Sequence, residues 1–320
     1  MLQLVNLSNF RTDLDLIENS AACLTDFLNR NGLDGIEMMF CAPWDAAVHA
    51  PDWIQGVHLQ FWPSWLDFWR GDRAELQRQF GGDEQIIGCY GGLQRQDWLN
   101  RYRENLRLAC QAEASYLVFH AGHTRLEEIF DWRFAASDAA VVEAVAEVVN
   151  ALAADIPADV TLLFENLWWP GLRLLDRDLT ERLFAAVKHP NCGIMLDTAH
   201  LMNTNQDLQT EDDAVDYILA TLDSLGDCCR YIRGIHLNCS LSGEYVRQML
   251  TRPRQQSFSY QEAVEHVLSI DRHQPFHSSR VRQIIDRVQP DWLVHEFVPA
   301  SASDWQEKLS CQQRAAGLRR

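Results

Sequence analysis

No stretch of the chain is long and apolar enough to read as a membrane span, and no G-x-G-x-x-G turn follows any of its apolar runs. The first absence argues against a membrane partner, and the second removes the usual mark of a dinucleotide site. Nine cysteines include no C-x-x-C pair. An odd number scattered through a large chain fits reduced thiols better than a disulfide framework, and the adjacent Cys228 and Cys229 read as packed residues rather than ligands. Basic charge is also scarce: 28 Lys and Arg against 45 Asp and Glu leave a net charge of −17. Binding a nucleic-acid backbone needs cationic side chains to replace condensed counterions, so nucleic acid is not the expected partner, although ligated metal ions could supply positive charge locally. The opening Met1-Leu2-Gln3-Leu4-Val5-Asn6-Leu7 has no basic n-region and no small-residue cleavage site. It reads as a first strand rather than a signal peptide, and the expected location is the cytoplasm.

The chain has 320 residues, 47% of them hydrophobic, enough for a substantial core. Short apolar runs recur at Leu2 to Leu7, Gly35 to Met39, Val57 to Phe61, Tyr116 to His120, Val160 to Glu165, Gly193 to Asp197, Ile232 to Leu237 and Trp292 to Glu296. Each has the unbroken hydrophobicity of a strand buried on both faces. Amphipathic segments of crossover length lie between most of them, at Asp13 to Asn31, Gln94 to Glu113, from Ser137-Asp138 to Pro157, Asp178 to Lys188, Thr210 to Leu225 and Ser278 to Val288. Eight strands alternating with helices predict an α/β fold, a (β/α)8 TIM barrel in one domain over 1–320. A doubly wound open sheet is the alternative, but polar residues follow nearly every run here instead of gathering at one switch point. Two rim insertions are expected, a Trp-rich one at 62–86 and a second at 238–277 holding a short helix, an Arg-Pro turn and a helix from Tyr260 to Ser269. A C-terminal helix is expected over 302–320.

Nine potential metal ligands fall at or just beyond the strand ends: His58, His120, Glu165, Asp197, His200, His236, Asp271, His273 and Glu296. Any one alone reads as an ordinary polar residue. In a barrel the strand ends converge on one axis, where several buried ionisable groups would repel one another or stay unsatisfied without metal or shared protons. A divalent cation resolves this. Mixed carboxylate and imidazole donors suit Zn, Mn, Fe or Co. Asp271 and His273 are the weaker pair, since they sit in a long loop. His123, His277 and His295 read as outer partners at most.

Together these residues resemble the xylose isomerase-like barrel superfamily, particularly its endonuclease IV branch. The resemblance implies a first ion on His58, His120 and Glu165, a second on Glu165, Asp197, His236 and Glu296, and a third on His200, Asp271 and His273. Two or three divalent ions and a bridging Glu165 would make the protein a hydrolase of a phosphoester or amide in a small-molecule substrate, with Glu165 and Glu296 catalytic. The quartet Glu165, Asp197, His236 and Glu296 also resembles the single-ion site of sugar isomerases and epimerases, with His200 holding substrate, which leaves that reaction as the alternative. An iron-dependent oxidase and a DNA-repair endonuclease are lesser readings. The loop Phe40-Cys41-Ala42-Pro43-Trp44-Asp45 lacks the Arg expected of a rim that enters abasic DNA. The chain also resembles corrinoid-salvaging amidohydrolases on the same barrel. Trp44, Trp62, Trp65, Trp69, Trp132, Trp168 and Trp169 all follow strand ends, so they either wall an apolar pocket for a ring-containing substrate, with Trp62 and Trp168 the leading contacts, or pack the insertions onto the rim.

Overall fold

The computed structural model describes residues 1–252 and 258–318. Eight strands, β1 (Leu2–Ser8), β2 (Gly35–Met39), β3 (Ile54–His58), β4 (Tyr116–His120), β5 (Thr161–Glu165), β6 (Cys192–Asp197), β7 (Ile232–Leu237) and β8 (Trp292–His295), pair in sequence order and close into a barrel. Every pairing is parallel, including the β1 to β8 closure. The (β/α)8 barrel follows from the runs themselves. Alternate residues of a parallel strand point to opposite faces, and both faces are covered here. Leu4, Tyr116, Val118, Leu163, Met195, Trp292 and Val294 fill the interior as one cluster. Leu117, Phe119, Leu162, Phe164, Ile194 and Leu196 belong to the larger cluster between strands and helices.

Gly56 is required by this interior packing. A Cβ there would overlap the ring of Tyr116, so the bare backbone of β3 gives that ring its place. The Tyr116 hydroxyl then donates to Glu37 Oε2 at 2.8 Å, across the barrel floor.

Helix ends carry their own signals. Ser137 caps Asp138–Leu152, and Thr210 with Asp213 and Ser259 with Glu262 form capping boxes for Glu211–Leu225 and Tyr260–Ile270. Two boundaries differ from expectation. The segment Asp13 to Asn31 is two helices, Arg11–Leu16 and Ala21–Asn31, because Glu18 and Asn19 take left-handed backbone and Ser20 starts a new N-cap. The third strand lies at Ile54–His58 rather than Val57 to Phe61, so His58 ends it and Phe61 and Trp62 belong to the rim.

The Trp-rich segment after β3 folds into the helices Leu66–Arg70, Arg73–Phe80 and Asp83–Tyr90. The helices Gly243–Leu250 and Tyr260–Ile270 stand between β7 and β8. Pro253 of the expected Arg-Pro turn and the terminal Arg319 and Arg320 lie outside the described residues, and the last helix is Ala302–Ala315. Among the described residues no helix is long and apolar enough to cross a membrane.

Candidate metal centre

Strand register brings the donors to one height. His120 is the partner of Glu165 across β4 and β5, and Asp197 is the partner of His236 across β6 and β7. Glu165, Asp197 and His236 are fully buried. Glu165 stands between two groups of nitrogens. Its Oε2 lies 3.0 Å from His58 Nε2 and 2.8 Å from His120 Nε2. Its Oε1 lies 3.1 Å from His236 Nδ1 and 3.2 Å from His200 Nδ1. His236 Nδ1 also faces Glu296 Oε2 at 3.4 Å and Asp197 Oδ2 at 3.9 Å. Among the described residues, two sets of donor atoms therefore gather within 4.8 Å of one another: His58, His120 and Glu165, and Glu165, Asp197, His236 and Glu296.

Contacts outside the centre orient these groups. His58 Nδ1 lies 2.9 Å from the Leu59 carbonyl, and His200 Nδ1 lies 2.9 Å from the Asn166 carbonyl. His236 Nε2 meets the Glu37 carboxylate at 3.0 Å and 3.2 Å. A neutral ring that donates its outer N–H to such an acceptor aims a lone pair inward, the arrangement that orients a metal-binding imidazole. Asp197 accepts from the His200 backbone N–H at 2.6 Å, and Asn238 Nδ2 donates to Asp197 Oδ2 at 2.9 Å and Glu296 Oε2 at 3.1 Å.

The donor set fits divalent ions. His58 Nε2 and His120 Nε2 face each other at 3.2 Å while both face Glu165, an approach of lone-pair atoms that a shared proton or a cation must reconcile. The buried atoms Asp271 Oδ1 and His120 Nδ1 have no hydrogen-bond partner among the described residues. Burial alone would push His200 and His236 down. For His200 the charges of Asp197 and Asp271 outweigh burial, and for His236 those of Glu296 and Glu37 do, so both imidazoles are held well above the usual value. Burial with Asp197 and Glu165 nearby drives the Glu296 carboxyl well above the usual range. The crowded carboxylates thus draw protons inward, and divalent ions supply the same positive charge. His120, farther from that excess, is pushed down to about 4 by burial.

Asp271 and His273 reach the centre from a loop. Asp271 Oδ2 lies 3.1 Å from His200 Nε2 and 3.5 Å from His273 Nε2, and His273 Nε2 lies 3.9 Å from Glu296 Oε1. These three residues form a chain rather than a third set as compact as the first two. His273 has φ of 48°, a left-handed backbone that a histidine rarely adopts. The loop is tied to the segment just past β7 by the bridge between Cys239 and Gln274 and by Arg272 N–H donating to Ser240 Oγ at 3.1 Å.

Glu37 is the residue that sequence reasoning passed over. Its signal was there, a lone carboxylate inside the buried run Gly35–Met39. The aromatic residues divide. Trp62 packs edge-on to Trp98 and Tyr102, with its indole N–H donating to the Cys89 carbonyl at 2.9 Å. Trp65 and Trp69 also pack against Trp98. Phe61 instead meets the His120 ring edge-on at 4.2 Å, and the ring of Trp168 lies 5.0 Å from that of His200.

The chain belongs to the xylose isomerase-like TIM barrel family, whose model matches residues 25–313. Its fold is similar to that of endonuclease IV from Thermus thermophilus, at 15% identity over 99% of both chains with a TM-score of 0.53. It is similar as well to 3-keto-D-glucoside 4-epimerase from E. coli, at 11% identity over 99% of this chain and 100% of that one, TM-score 0.50. A D-psicose 3-epimerase matches at 11% identity over 99% of this chain and 97% of that one, TM-score 0.50. Identities this low establish the fold alone. No curated protein matches the chain.

Proposed function

We propose that the protein is a metal-dependent hydrolase that holds two or three divalent ions and cleaves a phosphoester or amide in a small to medium substrate. One observation carries the reading: the two oxygens of Glu165 face separate sets of donors, His58 with His120 on one side and His236 on the other. A carboxylate so placed can bridge two cations, a task that a single-ion centre does not require. His58, His120, Glu165, Asp197, His236 and Glu296 would hold two ions, and His200, Asp271 and His273 would hold a third. When bound, the ions would supply an activated water and neutralise the oxyanion that develops on the substrate. Glu165 would keep the two ion sites in register, and Glu296, the most accessible of the quartet, would face an entering substrate. Asn238 holds Glu296 and Asp197 in a common orientation.

Single-ion isomerisation or epimerisation of a sugar is the second reading. The quartet is complete without His58 and His120, and two solved structures of similar fold are epimerases. DNA is not the favoured substrate, given the charge of −17.

Metal content per chain, measured by mass spectrometry on dialysed protein, separates the two when combined with assays on bis(p-nitrophenyl) phosphate and on a ketose. Two or more retained ions with phosphodiester cleavage are expected. A single retained ion with ketose epimerisation and no cleavage would overturn the hydrolase assignment.

A further inference from the structure

The last helix, Ala302–Ala315, carries two adjacent buried glutamines that serve different parts of the barrel. Gln313 Nε2 donates to the Asn31 carbonyl at 3.0 Å, at the end of the helix Ala21–Asn31. Gln306 exchanges two side-chain hydrogen bonds with Asn31, and Trp305 stacks on Phe27 with ring centroids 3.9 Å apart. These contacts dock the helix without Gln312. Gln312 is fully buried and reaches instead toward the ends of β7 and β8. A buried amide is costly unless its polar atoms are paired, a cost that an apolar side chain at the same place would not carry.

Both ends of the Gln312 amide are engaged. Nε2 donates to the Leu237 carbonyl at 2.7 Å and to His295 Nδ1 at 2.9 Å, and Oε1 accepts from the Phe276 backbone N–H at 3.1 Å. The backbone partners settle which end of the amide is which, since a peptide N–H needs the oxygen and a carbonyl needs the nitrogen. Leu237 directly follows His236, and His295 directly precedes Glu296. Direct pairing of the two segments weakens at this height, where Glu296 N–H lies 3.4 Å from the Leu237 carbonyl, long for such a bond. Gln312 spans the same two segments with two shorter contacts from the outer side of the barrel. Trp292 and Val294 fill the barrel interior, so by alternation His295 points outward to Gln312 and Glu296 points inward.

We propose that Gln312 is a positioning residue of the metal centre, a clamp on the ends of β7 and β8 that keeps His236 and Glu296 facing one ion. It acts through Leu237 and His295, each one residue from a donor. His236 Nδ1 and Glu296 Oε2 stand 3.4 Å apart. A small splay of the two segments would part them, and an ion held by both would bind less tightly. The inference rests on the metal reading of the centre and is the same for a hydrolase or an isomerase.

Titration of the metal-free full chain with Co2+ against a chromophoric chelator tests it, with the visible bands of bound cobalt reporting its ligands. Gln312→Met fills a similar volume but supplies no N–H, and about tenfold weaker binding with altered bands is expected. Gln313→Met removes a buried amide from the same helix, so it should lower Tm comparably while leaving affinity and bands unchanged. Gln312→Glu keeps an acceptor for the Phe276 N–H but offers Leu237 and His295 one donor at most; it should weaken binding as well, and it decides the matter if Gln312→Met does not fold. Unchanged affinity and bands in the Gln312 variants would overturn the proposal. So would equal weakening in Gln313→Met, which would assign the effect to docking of the helix. An unaltered chain that binds no cobalt would overturn the metal reading together with the clamp, whereas tight cobalt binding without cleavage of bis(p-nitrophenyl) phosphate removes the hydrolase alone.

Discussion

The donors reach the centre from two kinds of support. His58, His120, Glu165 and Asp197 end strands, and His236 stands one residue before the end of its own, in hydrogen-bond ladders that run around the whole barrel. Asp271 and His273 hang on a loop fastened by one bridge and one hydroxyl, with His273 in a left-handed conformation. The strand-borne donors, with Glu296 one residue beyond β8, are also the ones that close into compact sets. Support and compactness go together because a side chain at a strand end inherits its position from neighbours on both sides, whereas a loop residue depends on a few local contacts.

The largest test of that division is Glu165→Gln, which removes the charge both nitrogen groups share. Retained metal should fall by more than one ion per chain and turnover by on the order of 10³-fold. Loss of only one ion, by mass spectrometry, would show that Glu165 does not bridge. Asp271→Asn comes next. It should cost one ion and about 100-fold in activity while His58, His120 and Glu165 keep theirs. If all metal leaves together, the loop-borne donors are not separable from the strand-borne ones and the comparison collapses. Glu37→Gln keeps the shape of the contact to His236 but removes its charge, and about tenfold weaker metal affinity is expected by competition with a chelator. An unchanged affinity would mean that Tyr116 and packing alone orient His236.

The smallest effect lies outside the centre. Burial pushes the Asp67 carboxyl up, but hydrogen bonds from Arg125 and Gln79 outweigh it and hold the carboxyl below its usual range. A depressed folded-state value adds stability above the ordinary Asp range, near pH 4, that is lost as pH falls through the folded value. Asp67→Asn should therefore lower Tm by about 2 °C at pH 7 and flatten the acid-side decline, with metal content unaffected. A Tm difference that persists undiminished at low pH would show the loss to be one of packing.

The barrel was legible because strands buried on both faces leave unbroken apolar runs, and the strand-end donors because each interrupts such a run where it stops. Glu37 escaped that logic because it sits in the middle of β2, where the inward direction of its side chain follows only from the closed barrel. The split at Glu18 and Asn19 was hidden because no glycine marks the left-handed turn. Trp62 and Phe61 are adjacent, yet one joins the insertion and the other the rim of the centre. Trp98 decides this, a residue of the helix Arg95–Gln111 beyond the insertion, and such a contact has no local sequence signature. Asp271 and His273 were recognisable as residue types, but their approach to His200 depends on how the long segment after β7 folds back.

The missing side chain at Gly56 has a consequence for sequence variation. Filling position 56 demands a smaller residue at position 116, and a smaller residue there takes the hydroxyl away from Glu37, which then holds His236 less firmly. Positions 56, 116 and 37 should therefore drift as a linked trio, and a library that randomises one of them should recover metal-competent variants mainly when the other two are free to change.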